Sequence, residues 1–333
     1  MPYTEQTDDS NSMTVGVEIA DSGTVIRVAV QNATGTRYAS ARVARPATPD
    51  QVLTQINQLI EQTCQSRDDE HHGNPVLGAI GVVVWGSVDA TRRTIVSLRH
   101  NHEWRDVNLA EVLSDTWRCP VRVESAVGAI ALAEVHPSLE NVSTPMLYLL
   151  PERSLSAVLI KDGKIDATTG GDPSRFGHWP VPGGIRRCSC GSTGHLETVA
   201  SAQAIVRNMI GLASTDDISY EAMMRASGGR AETMSAAQVA GLARNGDPTA
   251  SHVMAEAIQA LGPILAGLVI WHDIPTIIIG GILASAEESY LRPLREEIAR
   301  HLGRICPMPG VRGAKTTGNA ALHGALMIAR QRE

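Results

Sequence analysis

Four side chains with metal-ligating chemistry lie close together in the segment GHWPVPGGIRRCSCGSTGHLE, residues 177–197: His178, Cys188, Cys190 and His195. Two thiolates and two imidazoles make a common donor set for tetrahedral Zn²⁺, and Gly183, Gly184, Gly191 and Gly194 let the chain fold around one point. All four coordination positions are then filled by protein, so the expected zinc is structural and holds a long loop without regular backbone pairing. The competing reading is a glycine-rich surface loop with incidental Cys and His. The bracketing of the Cys-x-Cys pair by histidines favours the metal. A second local signal is Gly280-Gly281, at the end of an apolar strand over 276–279, a place where α/β folds bring backbone N–H groups close to a ligand. His71-His72 lacks companions at fixed spacing and reads as polar loop, and Cys64, Cys119 and Cys306 read as small buried hydrophobes.

The elements that position these residues follow from composition and periodicity. The chain has 333 residues, 43% hydrophobic, 19% charged and 3% aromatic, which is the composition of a globular protein with room for two domains. A net charge of −6 provides no broad electropositive surface, so direct nucleic-acid binding is not expected. The longest apolar stretch, 261–284, is interrupted by Pro263, His272, Asp273 and Pro275 and is not expected to span a membrane. Residues 1–13 form a polar tail with neither basic region nor apolar core, so a cytoplasmic location is expected, where five cysteines do not form a disulfide framework.

Alternation of apolar residues over 14–30 around Asp21-Ser22-Gly23 predicts a hairpin, followed by a strand over 37–44 and an amphipathic helix over 48–65 with Thr48 as N-cap. The run LGAIGVVVW, residues 77–85, predicts a strand buried on both faces. The pattern then restarts: helix 108–116, strand 120–124, helix 126–134, strands 146–150 and 156–161, and a mainly helical stretch over 196–272. No internal sequence repeat is visible, yet two strand-rich blocks covered by helices predict an α/β chain of two related lobes with a cleft between them. The expected first lobe is 14–122, completed by a C-terminal helix at about 317–331. The expected second is 123–316, carrying the zinc loop 177–197.

The cysteine segment resembles the zinc signature of the ROK family (repressors, open reading frames, sugar kinases), an ExGH followed by CxCGxxGCxE. Here it reads Arg175-Phe176-Gly177-His178 and then Cys188-Ser189-Cys190-Gly191-Ser192-Thr193-Gly194-His195-Leu196-Glu197, with His195 in place of the third cysteine and Arg175 in place of the first glutamate. The similarity runs from about Val15 to Arg330. It includes Trp85-Gly86-Ser87-Val88-Asp89 (PGPVD), Asn101-His102-Glu103-Trp104 (NLxW), Val123-Glu124-Ser125-Ala126 (VEND), Lys161-Asp162-Gly163-Lys164 (IDGK), Gly280-Gly281 (the adenosine-side GGG) and the helix around 320–325. The resemblance implies the two-lobed, actin-like ATPase fold shared by sugar kinases and Hsp70-type proteins, and a homodimer. ROK repressors carry a helix-turn-helix of several dozen residues ahead of this fold, and with about thirteen polar residues before the first strand none is expected in the sequence given.

The resemblance also assigns roles. The family's catalytic base is the aspartate of VEND, and Ala126 stands there, a change that typically costs about 10²–10⁴ in rate. Glu124, two residues back along a strand, starts about 6–7 Å away. The nucleotide side would be Asp21 and Gly23 in the first turn, with Gly280 and Gly281 opposite. The first turn is longer and bulkier than the family's DxGGT, and the second phosphate loop is replaced by the glycine-free 152–156, with Glu152 a like charge beside any phosphate. The sugar side would be Asn101, Ser125, Arg175, His178 and Glu197, with Arg175 suggesting an acidic sugar or sugar phosphate. These substitutions predict a sugar-type ligand, no productive Mg-ATP site, and a non-catalytic sensor. An ATP-dependent sugar kinase with a displaced base is the alternative, and a ligand-free scaffold the third reading.

Overall fold

The computed structural model describes residues 12–20, 23–65, 76–89, 91, 93–98, 101–135, 144–166, 171–316 and 318–331. The chain divides into two compact units. One comprises Met1–Pro137, Gly170–Asp172 and Thr316–Glu333, and the other Ser138–Thr169 and Pro173–Lys315.

In the first unit β1 (Met13–Ala20), β2 (Val25–Asn32) and β3 (Gly35–Arg42) form an antiparallel meander. The parallel strands β4 (Leu77–Val84) and later β8 (Val121–Ser125) extend it in the order β3-β2-β1-β4-β8. Residues 21–22 of the expected hairpin turn lie outside the described residues, as do His71 and His72. Helix α1 (Pro49–Cys64) starts at Thr48, which closes a capping box with Gln51, and buries Val52, Ile56, Leu59 and Ile60. A second, three-stranded sheet of β5 (Gly86–Asp89), β6 (Thr94–Leu98) and β7 (Asn101–Val107) precedes α2 (Leu109–Trp117). Helix α3 (Ala126–Val135) is buried along its whole length. It packs with the helix Ala320–Arg330, which also lies across β1 and β4. That approach requires glycine: a Cβ on Gly81 would run into the Ala325 carbonyl oxygen, and one on Gly324 into that of Ala129. The buried Cys64 and Cys119 line this core, where desolvation pushes both thiols up to about 11.

The second unit repeats the arrangement. Strands β9 (Met146–Pro151), β10 (Leu155–Lys161) and β11 (Lys164–Ile165) are antiparallel, and β12 (Thr276–Ile279) and β13 (Gly310–Gly313) add parallel strands in the order β11-β10-β9-β12-β13. Helices α4 (Glu197–Ala200), α5 (Ala202–Ala213), α6 (Asp217–Ala226), α7 (Ala236–Arg244), α8 (Pro248–His272) and α9 (Arg292–Leu302) belong to this unit. Pro263 does not interrupt the apolar stretch as expected: α8 runs through it for 25 residues. By length and apolarity α8 meets the requirement for a membrane span, but half of its most apolar window is buried inside its own unit, the property of a core helix.

Candidate metal centre and sugar-side residues

The loop after β11 opens with a 3₁₀ turn, Pro173–His178, and then runs without strands, held by the isolated bridges Pro180–His195 and Arg187–Thr193. Its crossing is close enough that a Cβ on Gly184 would come within 2.7 Å of the Gly194 Cα, and Gly194 itself has a φ of +74°, so both positions demand glycine. The Cys188 N–H donates to the Ser192 carbonyl at 2.8 Å and the Gly191 N–H to the Cys188 carbonyl at 3.0 Å, turning the chain so that both thiols face one way. Arg186 forms a two-pronged ion pair with Glu256 on α8, its Nη2 donating to Oε2 at 2.9 Å, and fastens the loop to that helix.

The turn brings together all four donors expected from the sequence. His178, Cys188, Cys190 and His195 offer ligand atoms within 4.8 Å of one another. His178 Nδ1 lies 3.2 Å from His195 Nδ1, Cys188 Sγ 3.6 Å from His178 Nδ1, and Cys190 Sγ 3.3 Å from His195 Nδ1. A tetrahedral ion with metal–nitrogen bonds of about 2.05 Å and metal–sulfur bonds of about 2.3 Å has edges of about 3.3 Å (N to N) and about 3.6 Å (N to S). The donor set fits such an ion in chemistry and in spacing. Glu197, at the start of α4, directs Oε1 to within 3.8 Å of Cys188 Sγ and 3.4 Å of Ser189 Oγ, while its Oε2 is buried without a partner among the described residues.

Of the other expected sugar-side residues, Asn101 and Ser125 belong to the first unit. Asn101 opens β7, and its amide donates to the Ala47 carbonyl at 2.9 Å and accepts from the Glu103 N–H at 3.1 Å, so its side chain is fixed. Ser125 ends β8; its N–H and Oγ both donate to Glu124 Oε1, at 2.7 and 2.9 Å, and its Oγ accepts from the Gly128 N–H at 3.1 Å, capping α3. Ala126 is the first residue of α3 and fully buried. Desolvation pushes the Glu124 carboxyl above the usual carboxylate range, against the pull of those two hydrogen bonds. Arg175 in the second unit is exposed and lines a cavity to which neither His178 nor Glu197 contributes.

On the nucleotide side Asp21 lies outside the described residues, and Gly23 adopts a φ of +90° beside the Trp104 indole nitrogen. Glu152 reaches across 130 residues of sequence to accept the Ile282 N–H at 2.9 Å, and a Cβ on Gly281 would run into its carboxylate. Sequence reasoning placed Glu152 in a degraded phosphate loop without seeing this contact. It also missed Glu18, a buried carboxylate within apolar β1 that accepts from the Trp85 indole at 2.9 Å and pairs with Arg27 at 3.1 Å. A charge inside an otherwise apolar strand was the available signal.

These two units have the architecture of the actin-like ATPase fold, as found in sugar kinases. The ROK family profile matches residues 14–332, and the chain belongs to the ROK family. It is 27% identical over 322 residues to a glucokinase of Streptomyces coelicolor, covering 96% of this chain and 98% of that one. The crystal structure of a ROK family glucokinase from Streptomyces griseus, in complex with glucose and AMPPNP, is also 27% identical and covers 96% of this chain and 100% of its own, with a TM-score of 0.74. A xylose repressor of Caldicellulosiruptor bescii is 24% identical over 265 residues, 78% of this chain and 63% of the repressor. End-to-end similarity to glucokinases corrects the expectation of a non-catalytic sensor, which weighed Ala126 and two altered loops above the rest of the chain.

Proposed function

We propose that this protein is an ATP-dependent sugar kinase of the hexokinase type. The observation that carries the reading is the 27% identity to a glucokinase across 96% of the chain, with no large segment left unmatched on either side. In the reaction a sugar hydroxyl oxygen bonds to the γ-phosphorus of ATP, the bond from that phosphorus to the bridging oxygen breaks, ADP leaves, and the hydroxyl proton passes to a base. Phosphoryl transfer proceeds through a loose transition state, so positioning and charge stabilisation supply most of the rate and a displaced base lowers turnover without abolishing it. Glu124, directly before the Ser125 cap of α3, is assigned that role as a displaced and weaker base, its Oε1 already accepting from the Ser125 N–H and Oγ.

A zinc ion held by His178, Cys188, Cys190 and His195 would fix the loop and orient the His178 ring, leaving its Nε2 for a sugar hydroxyl. The unpaired Oε2 of Glu197 is a second acceptor for the same ligand. Mg²⁺ enters with the nucleotide and neutralises phosphate charge. The test is release of ADP by purified protein with Mg-ATP across a panel of hexoses, amino sugars and sugar acids. Sugar-dependent ADP release with a matching sugar phosphate supports the reading; ATP and sugar both unconsumed across the panel overturns it.

A further inference from the structure

The second unit contains a cavity of about 810 Å³ outside the metal loop's donor set. Its floor is the β9–β10 face, one wall is the Pro173–His178 turn with the residues after it, and the other is the C-terminal half of α8. The volume is that of a small-molecule site. The lining is apolar apart from Arg175 and His272, and contains neither Asp nor Glu. Two indoles stand at it, Trp179 at 43% exposure and Trp271 at 81%, far more open than a core tryptophan such as the fully buried Trp104. Arg175 makes no hydrogen bond or ion pair among the described residues. A guanidinium is weakly hydrated, stacks on aromatic faces and binds carboxylates through two parallel hydrogen bonds.

From these features we infer that the cavity is a binding site for an amphipathic organic anion, with an apolar body against Trp179, Trp271 and Leu268 and a carboxylate on Arg175. An anionic ligand complements the site, because the lining provides a guanidinium and no carboxylate. A cavity of this volume favours a small ligand over a flat protein face, and nothing in the inference depends on the kinase reading. Gly267 supplies a clean perturbation. It lines the cavity, and a Cβ there meets nothing within 4 Å, so Gly267→Phe is accommodated at its root and adds bulk at the cavity wall, with a urea midpoint to confirm that the variant is folded.

The experiment uses the full chain and 8-anilinonaphthalene-1-sulfonate as fluorescent probe, displaced by decanoate or by the neutral decanol. Saturable displacement is expected, with decanoate about 10- to 100-fold tighter than decanol, the worth of a charge-assisted hydrogen-bonded contact. Arg175→Gln should erase the difference while leaving decanol binding unchanged, and Gly267→Phe should abolish displacement while leaving the sugar-dependent ADP release as it was. Equal affinity for acid and alcohol in the native protein, or undiminished probe binding in Gly267→Phe, overturns the inference. So does a monomer–dimer shift on Gly267→Phe without any loss of decanoate binding, because the face would then belong to a second copy of the chain.

Discussion

Replacing Ala126 by aspartate puts a carboxylate at the first position of α3, directly after the Ser125 cap. The native methyl is fully buried, so the new group is largely desolvated, which favours its protonated form; the helix N-terminus opposes this by about 0.3–1 kcal/mol. Glu124 lies two residues back with its proton affinity already raised, and a second carboxylate nearby raises it further. The net result is a carboxylate at the first position of α3 with a raised proton affinity, placed where the resemblance puts the base. A positioned base contributes about 10²–10⁴ in rate, or about 2.7–5.4 kcal/mol of barrier. Kinases with their base in place turn over at about 1–100 s⁻¹, so the native chain should run at about 10⁻⁴–1 s⁻¹ and Ala126→Asp should recover at least two decades. Initial rates of ADP release at saturating Mg-ATP and sugar measure this, with circular dichroism and a urea midpoint confirming that the variant is folded. A folded Ala126→Asp whose kcat stays within about threefold of the native value refutes the reading that the native chain lacks a positioned base at residue 126, because proton acceptance there would then contribute nothing to the reaction.

Three other outcomes follow from the same structure. Metal analysis of purified protein should find about one zinc per chain, with X-ray absorption showing two sulfur neighbours at about 2.3 Å and two nitrogens at about 2.0–2.1 Å; Cys188→Ser should strip the metal, and equal zinc in both proteins sinks the site. Glu124→Gln should change the pH dependence of stability. A carboxyl whose proton affinity rises on folding contributes fully below its unfolded value, and that contribution fades as pH climbs through the folded value, so the variant should gain on the native protein from mildly acidic to neutral pH and match it near pH 4 in thermal melts. Gly324→Ala should cost about 1–3 kcal/mol in urea unfolding, because its methyl meets the Ala129 carbonyl of α3 in a closed contact; an unchanged midpoint contradicts the packing.

Much of this was legible in residue order. The Cys-x-Cys between histidines pointed to the four-donor cluster because its members are local, and Thr48 marked the start of α1 because a capping box spans only four residues. The β5–β7 sheet escaped because NHEWRDV buries just Asn101 and Trp104, leaving no apolar alternation to read. Helix α8 overrode Pro263 because tertiary burial of its apolar positions outweighs one lost backbone hydrogen bond. The seat of Glu152 on the turn at 281–283 depends on a contact 130 residues distant, beyond any local pattern. The shared strand order of the two sheets is invisible as a repeat, since each position asks only for an apolar residue of suitable size. The functional correction has a related cause: one lost carboxylate was weighed heavily, whereas the rest of the fold carries most of a phosphoryl transfer.

The helix Ala320–Arg330 has a consequence for how the protein is made. It covers β1, β4 and α3, yet the ribosome delivers it only after every strand and helix of the second unit. The N-terminal sheet therefore waits with one face uncovered at Gly16 and Gly81, while the inserted unit has all of its own parts. Order of synthesis and order of completion run opposite to each other, and the first-born sheet keeps an apolar face open to aggregation until the last helix emerges.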